Sequence, residues 1–339
     1  MSIRLKPIRE QVLVITGASS GIGLATARAA VREGARVFLT SRNDEALARI
    51  AADLNAVTRE PRAGHLAADV ADPEALERVA QGAVDRFGGI DTWVNNAGVS
   101  LYGRLLELSI EDQRRLFDVT FWGVVYGCRA AVPRLGRRGG ALINVGSIAS
   151  DRAIPLQGIY SAAKHAVKAF TDALRMELEE AGTPVAVTLI KPSSINTPVF
   201  EHAQTELNRE PAPPPPVYQP EVVAETILRC AEEPVRDVTV GAGGKLLTAL
   251  GGAAPRLLDR YMERTLFRQQ RSSRPVSPNR VSNLTEVPRD GRVHGLWPGP
   301  VHERSAYTEA ALRPGRAALA ALGVGLAVLA GITLLGERD

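Results

Sequence analysis

The apolar run Gln11-Val-Leu-Val-Ile15 leads without a break into Thr16-Gly-Ala-Ser-Ser-Gly-Ile-Gly23, and then into a stretch over 24–33 of helical composition. Strand, glycine turn and helix in this order confine the chain to few architectures, because the turn must bring a helix back across the strand it has just left. Gly17 gives the backbone a shape closed to other residues. Gly21 and Gly23 let an anion approach the backbone and let the helix pack closely on the sheet. The start of that helix presents unpaired N–H groups and the positive end of its dipole, which suits a pyrophosphate. In this context the motif predicts dinucleotide binding, with Ser19, Ser20 and Ile22 beside the three glycines as candidate contacts.

The second strand, 36–40, ends at Ser41-Arg42. An acidic residue here would meet a free ribose 2′-hydroxyl, whereas arginine meets a 2′-phosphate. The first acid comes only at Asp44, so Ser41 and Arg42 favour NADP(H) over NAD(H), Arg42 through paired hydrogen bonds. The competing reading is a solvated loop arginine that stacks on adenine without discriminating. Residues 43–54 read as helix. Residues 65–68 lead to Asp69-Val70, a strand end able to touch adenine, and Pro73 opens a helix over 74–87. A fourth strand at 91–94 precedes Asn95-Asn-Ala-Gly98, where Asn96, Ala97 and Gly98 suit a turn that backs onto ligand. Strands alternating with helices through Ser147 indicate an α/β fold with a doubly wound parallel sheet. Ligand then belongs beyond the carboxyl ends of the strands, and Gly17, Arg42, Asp69, Asn95 and Ser147 all follow strands.

Tyr160 and Lys164 stand at i and i+4 in a helix expected over 157–181, so their side chains share one face. An isolated tyrosine has a pKa of about 10. A neighbouring ammonium lowers it by favouring phenolate, which yields a general acid/base for a carbonyl or alcohol oxygen. Ser147, after the buried strand 141–145, offers a hydroxyl to the same oxygen. Alone, the pair is also what an ordinary surface helix carries. His165, the next residue, points away on the helix as filler.

These motifs occupy a chain of 339 residues, 45% apolar and 23% charged, which fits a mostly globular protein of about two domains. The formal net charge of +4 is mild, with much of the excess in arginines beyond Arg256. No nucleic-acid module is evident, so DNA and RNA are excluded as partners. Cys128 and Cys230 make neither a disulfide framework nor a metal spacing, and the five histidines are scattered, so no metal is expected. Residues 1–10 lack the apolar run of a secretory signal.

The glycine motif, Asn95-Asn-Ala-Gly98, Ser147 and Tyr160-x-x-x-Lys164 together resemble the classical short-chain dehydrogenases/reductases in type, order and spacing, over roughly residues 11–244. The resemblance implies a Rossmann-type sheet of about seven strands, a nicotinamide cofactor and hydride transfer between a ketone or aldehyde and an alcohol. It implies Tyr160 as acid/base, Ser147 as the group orienting the reacting oxygen, and Lys164 as the residue that binds the nicotinamide ribose and depresses the Tyr160 pKa. It also implies that Pro192, Ile195 and Thr197 lie at the nicotinamide, the last two at its amide. Two positions depart from the family. Thr120 stands where the family has an asparagine that shapes its helix and holds a water through the backbone carbonyl; Thr120 keeps that carbonyl and is retained as a catalytic candidate. Ser193 replaces the glycine of the family's Pro-Gly after the strand 185–190.

After a proline-rich substrate loop at 198–218, a helix at 221–232 and a last strand at 235–240, the chain runs on past this pattern. Residues 249–270 predict a helix with Arg256, Arg260, Arg264 and Arg268 on one face. It suits an anionic membrane surface, a partner subunit or the core. Residues 271–313, rich in Arg, Pro, Ser and Gly without periodicity, read as a partly disordered tether. The uncharged run 317–336 would reach about 30 Å as a helix, one hydrocarbon thickness. It predicts a transmembrane helix, the alternative being a buried core or oligomer helix. The chain thus divides into a catalytic NADP-binding domain (1–250), a basic extension and tether (251–315) and a transmembrane helix (316–336). Arg313 and Arg316 place the enzyme on the cytoplasmic side. The expected function is an NADP(H)-dependent oxidoreductase of a small, lipophilic carbonyl or alcohol, membrane-anchored and homo-oligomeric. The alternatives are a cofactor-sensing binding protein or a membrane scaffold with little turnover.

Overall fold

Val12–Thr16 forms strand β1, and all five residues are buried, as a strand covered on both faces requires. The computed structural model describes residues 3–288 and 291–313; the expected transmembrane run, 317–336, lies outside them. Among the described residues no helix is long and apolar enough to cross a membrane. Strands β2 (Arg36–Thr40), β3 (Ala63–His65), β4 (Thr92–Asn95), β5 (Gly140–Val145), β6 (Val185–Pro192) and β7 (Asp237–Val240) join β1 in one sheet. Its order is β7-β6-β5-β4-β1-β2-β3, with every pairing parallel. The order turns back between β1 and β4, and the crevice beyond their carboxyl ends is where such sheets receive ligand.

Alternation along β1 splits the core into two layers. Leu13 and Ile15 face α1 (Gly21–Arg32) and α2 (Asp44–Ala56) through Leu24 and Leu47, while Val14 joins Leu76 of α3 (Pro73–Phe87) in the other cluster. The helices start where their sequence says they should. Asn43 Oδ1 accepts from Ala46 N at 2.9 Å, and Asp72 Oδ1 accepts from Glu74 N at 2.9 Å just before Pro73. Helix α4 (Ile110–Phe117) continues through a π-helical turn, Asp118–Trp122, into α5 (Gly123–Leu135). Helix α6 (Gly158–Glu180) buries Ala163, Val167 and Thr171 against the sheet. The short α7 (Val199–His202) and then α8 (Pro220–Glu232) complete the expected pattern.

The C-terminal extension differs from its sequence reading. The single helix expected over 249–270 is two, α9 (Ala242–Ala253) and α10 (Pro255–Gln269), broken where Pro255 supplies no N–H to the preceding helix. Arg256, Arg260, Arg264 and Arg268 are exposed. Leu258, Met262 and Leu266 pack in a cluster with Ala149 and Ile154, so the helix is part of the core. The stretch 271–313, expected as a tether, is a strap laid over the catalytic domain. Arg271–Pro275 pairs with Arg209–Pro211, and Val301–His302 pairs with Val217–Tyr218. Thr308 of α11 (Ala306–Leu312) accepts a hydrogen bond from Gly241 N at 3.1 Å. Leu284 and Val293 are buried in the two main clusters. Backbone pairing and two isolated apolar plugs leave no periodic trace in sequence, which is why this ordered strap reads as disordered.

Candidate active site

Ser147 stands just past β5, where Gly146 N donates to Ile190 O at 2.7 Å and ties the turn to β6. Its Oγ accepts from Ala149 N at 3.1 Å, while Ser150 Oγ accepts from Ser147 N at 3.2 Å. This reciprocal cap fixes the hydroxyl at the end of the strand. Tyr160 and Lys164 lie one turn apart in α6. Lys164 is 3% exposed and donates from Nζ to Val145 O at 2.7 Å. Its Nζ stands 5.8 Å from the centre of the Tyr160 ring. Burial pushes the Lys164 ammonium down to about 8. Burial also pushes the Tyr160 phenol up, against a hydrogen bond with Ser147 that lowers it. The lowering of Tyr160 by Lys164 expected from sequence is therefore not found: desolvation governs the phenol, and the opposing cause is the hydrogen bond with Ser147.

A cleft of about 300 Å³ runs from the ends of β1 and β2 to Tyr160 and the segment after β6. Of the residues singled out from sequence for the ligand edge, all but Gly23, Asn95 and Thr120 line it. Gly23 lies behind the turn, where a Cβ would sit 2.3 Å from Gly17 O and 2.7 Å from Asn96 Nδ2. Gly17 has φ +65°, and Asn96 Nδ2 donates to Thr16 O at 2.9 Å, so the Asn96 amide holds the glycine turn in shape. Thr120 is fully buried in the π-helical turn, with Val99 N donating to its Oγ1 at 3.4 Å. Asn95, at the end of β4, does not reach the cleft. It accepts from Trp93 Nε1 at 2.7 Å and donates to Asn144 Oδ1 at 2.9 Å, joining β4 to β5 inside the sheet.

A dinucleotide fits these surroundings: the glycine turn leaves backbone exposed at one end, Arg42 and Asp69 flank it, and Lys164 and Thr197 close the other end. The strap alters two expected donors. Gly21 N donates to Arg292 O at 2.9 Å, so this N–H at the start of α1 is already paired. Arg42 Nη2 donates to Asn283 O at 2.5 Å and to Glu286 O at 2.7 Å. Desolvation lowers the Arg42 pKa, with Asp69 acting in the opposite sense. Asp69 is itself desolvated, but hydrogen bonds from Ala71 N and from Arg115 outweigh this and hold its carboxyl below its ordinary value.

Sequence reasoning missed several residues around Tyr160. Tyr102, Ile148, Ile154, Gln157 and Phe200 line the same cleft. Gln157 Nε2 donates to Gln270 Oε1 at 2.6 Å, and Gln270 Nε2 donates to Pro155 O at 2.8 Å, so the end of α10 braces the entry to α6. No local pattern links residues this far apart. The Ser193 departure is absorbed by two glycines. A Cβ on Gly241 would sit 2.2 Å from Ser193 Oγ, and one on Gly244 would sit 3.1 Å from Ser193 Cβ.

Comparison with known proteins agrees with this geometry. A family model described as short chain dehydrogenase matches residues 11–208. An uncharacterized oxidoreductase of Bacillus subtilis, YxnA, is 45% identical over 319 residues, covering 92% of this chain and 88% of the relative. An L-sorbose reductase from Gluconobacter frateurii, solved with NADPH and L-sorbose, has a TM-score of 0.61 at 28% identity, over 71% of this chain and 97% of that one. A short chain dehydrogenase/reductase from Burkholderia phymatum, solved with NAD, has a TM-score of 0.66 at 26% identity, over 82% of this chain and all of that one (100%). The chain therefore belongs to the short-chain dehydrogenase/reductase family, as an oxidoreductase acting between CH–OH and C=O groups.

Proposed function

We propose that this oxidoreductase uses NADP(H) to interconvert a lipophilic ketone or aldehyde and its alcohol, with Tyr160 as the acid/base. The observation that carries the reading is one continuous cleft holding Arg42 at one end and Ser147, Tyr160 and Lys164 at the other. Ser20, Ile22, Arg42, Asp69, Lys164 and Thr197 would hold the cofactor. When bound, its nicotinamide supplies a hydride to the substrate carbon or removes one from it. In the reducing direction the Tyr160 phenol gives its proton to the substrate oxygen and regains one from solvent; in oxidation it accepts that proton. Ser147 donates a hydrogen bond to the same oxygen and stabilises charge that develops there. Lys164, held on Val145 O, keeps a positive charge close to the phenol as it loses its proton. Ile148, Ile154 and Phe200 give the substrate end an apolar wall, which favours a lipophilic substrate.

The cofactor preference rests on Arg42 and on the absence of an acid before Asp44. Comparing kcat/KM for NADPH and NADH across a panel of ketones and aldehydes tests it. Wild type should favour NADPH. Arg42→Ala should lose charge-assisted bonding of about 1.5–3 kcal/mol, roughly 10–100-fold in kcat/KM for NADPH alone. Equal use of both cofactors by wild type would overturn the preference. The same reading keeps residues 317–336 as a membrane anchor, with the catalytic domain cytoplasmic. Leu246, Leu250, Leu257 and Tyr261 support it, because α9 and α10 expose them and α10 exposes its arginines beside them. It also takes the protein to be a homo-oligomer, which light scattering on the detergent-solubilised full chain tests.

A further inference from the structure

The turn Ser282–Pro288 belongs to the strap, beyond the residues that the family model matches. It reaches the adenosine end of the cleft through several independent contacts. Leu284 is fully buried, in the same cluster as Leu116 and Val119, and acts as a plug. Arg115 Nε donates to Leu284 O at 3.2 Å, Asn43 Nδ2 donates to Pro288 O at 2.8 Å, and Asn283 N donates to His202 O at 2.7 Å. Arg42 is held on the carbonyls of Asn283 and Glu286. Asn283 lines the cleft, and its Oδ1 is buried with no hydrogen-bond partner among the described residues.

The two arginines beside this turn are treated differently. Arg115 is paired with the Asp69 carboxylate. Arg42 has carbonyl partners but no carboxylate within ion-pair distance among the described residues. Carbonyl dipoles orient a guanidinium without cancelling its charge, and both bonds use Nη2, so Nε–H and Nη1–H remain as separate donors for an anion. A flexible arginine would have to be ordered when an anion binds; one already ordered loses less entropy.

We propose that the turn Ser282–Pro288 is a cofactor-discriminating element, whose carbonyls position Arg42 for the ribose 2′-phosphate of NADP(H). This rests on the NADP(H) reading of Arg42 given above and adds a role for a segment distant in sequence. Positioning is reciprocal: a 2′-phosphate that engages Arg42 must stabilise the turn, and NAD+, lacking that phosphate, must stabilise it less.

Two measurements test the role. In the first, dissociation constants for NADP+ and NAD+ are measured calorimetrically on wild type and on Leu284→Ala, which removes the plug without touching Arg42. The variant should bind NADP+ about tenfold more weakly, within the usual range of coupling between sites, and NAD+ within about threefold of wild type. Equal weakening of both, no change, or tighter NADP+ binding would overturn the proposal. In the second, amide exchange of residues 282–288 is followed in wild type saturated with each cofactor. NADP+ should slow exchange more than NAD+ does; equal protection would overturn the proposal even if Leu284→Ala does not fold. Wild type with no preference for NADP+ would remove the underlying reading of Arg42. A preference that survives Leu284→Ala would remove only the role of the turn.

Discussion

Lys164 shows how burial and function meet in a single side chain. Its ammonium, ordinarily titrating at 10.5, is pushed by burial to about 8 in the folded protein. Between these values the lysine binds more proton in the unfolded chain than in the native one, so its own contribution to stability must rise with pH across that window. Burial pushes the Cys128 and Cys230 thiols up to about 12, an opposing contribution that wild type and Lys164→Met share, so chemical denaturation of both cofactor-free proteins at pH 7.5, 9 and 10 should show wild type gaining stability relative to the variant as pH rises. A slope unchanged in the variant would assign the titration elsewhere. Gly23 is constrained by space instead. The 2.3 Å approach of a Cβ to Gly17 O leaves no room for alanine. Gly23→Ala should therefore destabilise the protein by about 1–3 kcal/mol, the usual cost of overpacking, and should weaken cofactor binding by shifting the turn. An alanine variant with wild-type melting and cofactor affinity would contradict this. Spacing alone made the Tyr160–Lys164 pair and the glycines legible, because each constraint operates within one turn of chain. The direction of the Tyr160 shift was not legible, since it depends on the protein packed around the phenol, whose desolvation outweighs the hydrogen bond with Ser147.

Among the elements, α10 departs most from its sequence reading. Its arginines mark the solvent face, and Leu258, Met262 and Leu266 mark the face that packs on Ala149 and Ile154 beside the catalytic turn. Met262 is 3% exposed and Tyr261 is 52% exposed, so truncating these neighbours separates the two faces. Met262→Ala should destabilise by about 2–5 kcal/mol, and Tyr261→Ala by no more than about 0.5 kcal/mol. Urea unfolding of both variants measures the contrast; comparable losses would mean that α10 also packs through its outer face. The sheet strands and their helices were legible because alternating and helical periods directly report which faces are buried. The strap was not, because the hydrogen bonds its carbonyls accept from Arg42, Arg115 and Asn43 depend on no side chain of its own.

At the scale of the whole molecule, the extension and the catalytic domain share one structure. The strap crosses from Arg271 beside the substrate loop to the adenosine end and on to Val301 beside Tyr218. An alignment covering 92% of the chain must run well into this extension, so the Bacillus subtilis relative shares it in part. The proposed anchor follows in sequence a segment fixed to the catalytic domain. Full-length protein should sediment with membranes and resist carbonate, whereas a chain ending at Arg313 should be released by carbonate. Soluble full-length protein would contradict the anchor; carbonate-resistant sedimentation of both forms would assign attachment to another segment.

The account stands on proton transfer at Tyr160. Tyr160→Phe removes one oxygen and leaves the ring, the sheet and the rest of the cleft in place. Turnover of the best substrate from the carbonyl panel should be measured for wild type and Tyr160→Phe beside NADPH affinity for each. The account predicts NADPH affinity within about twofold and a fall in kcat of at least about 10²-fold, the scale of a lost general acid. A variant that binds NADPH normally and keeps kcat within a few-fold of wild type would contradict it.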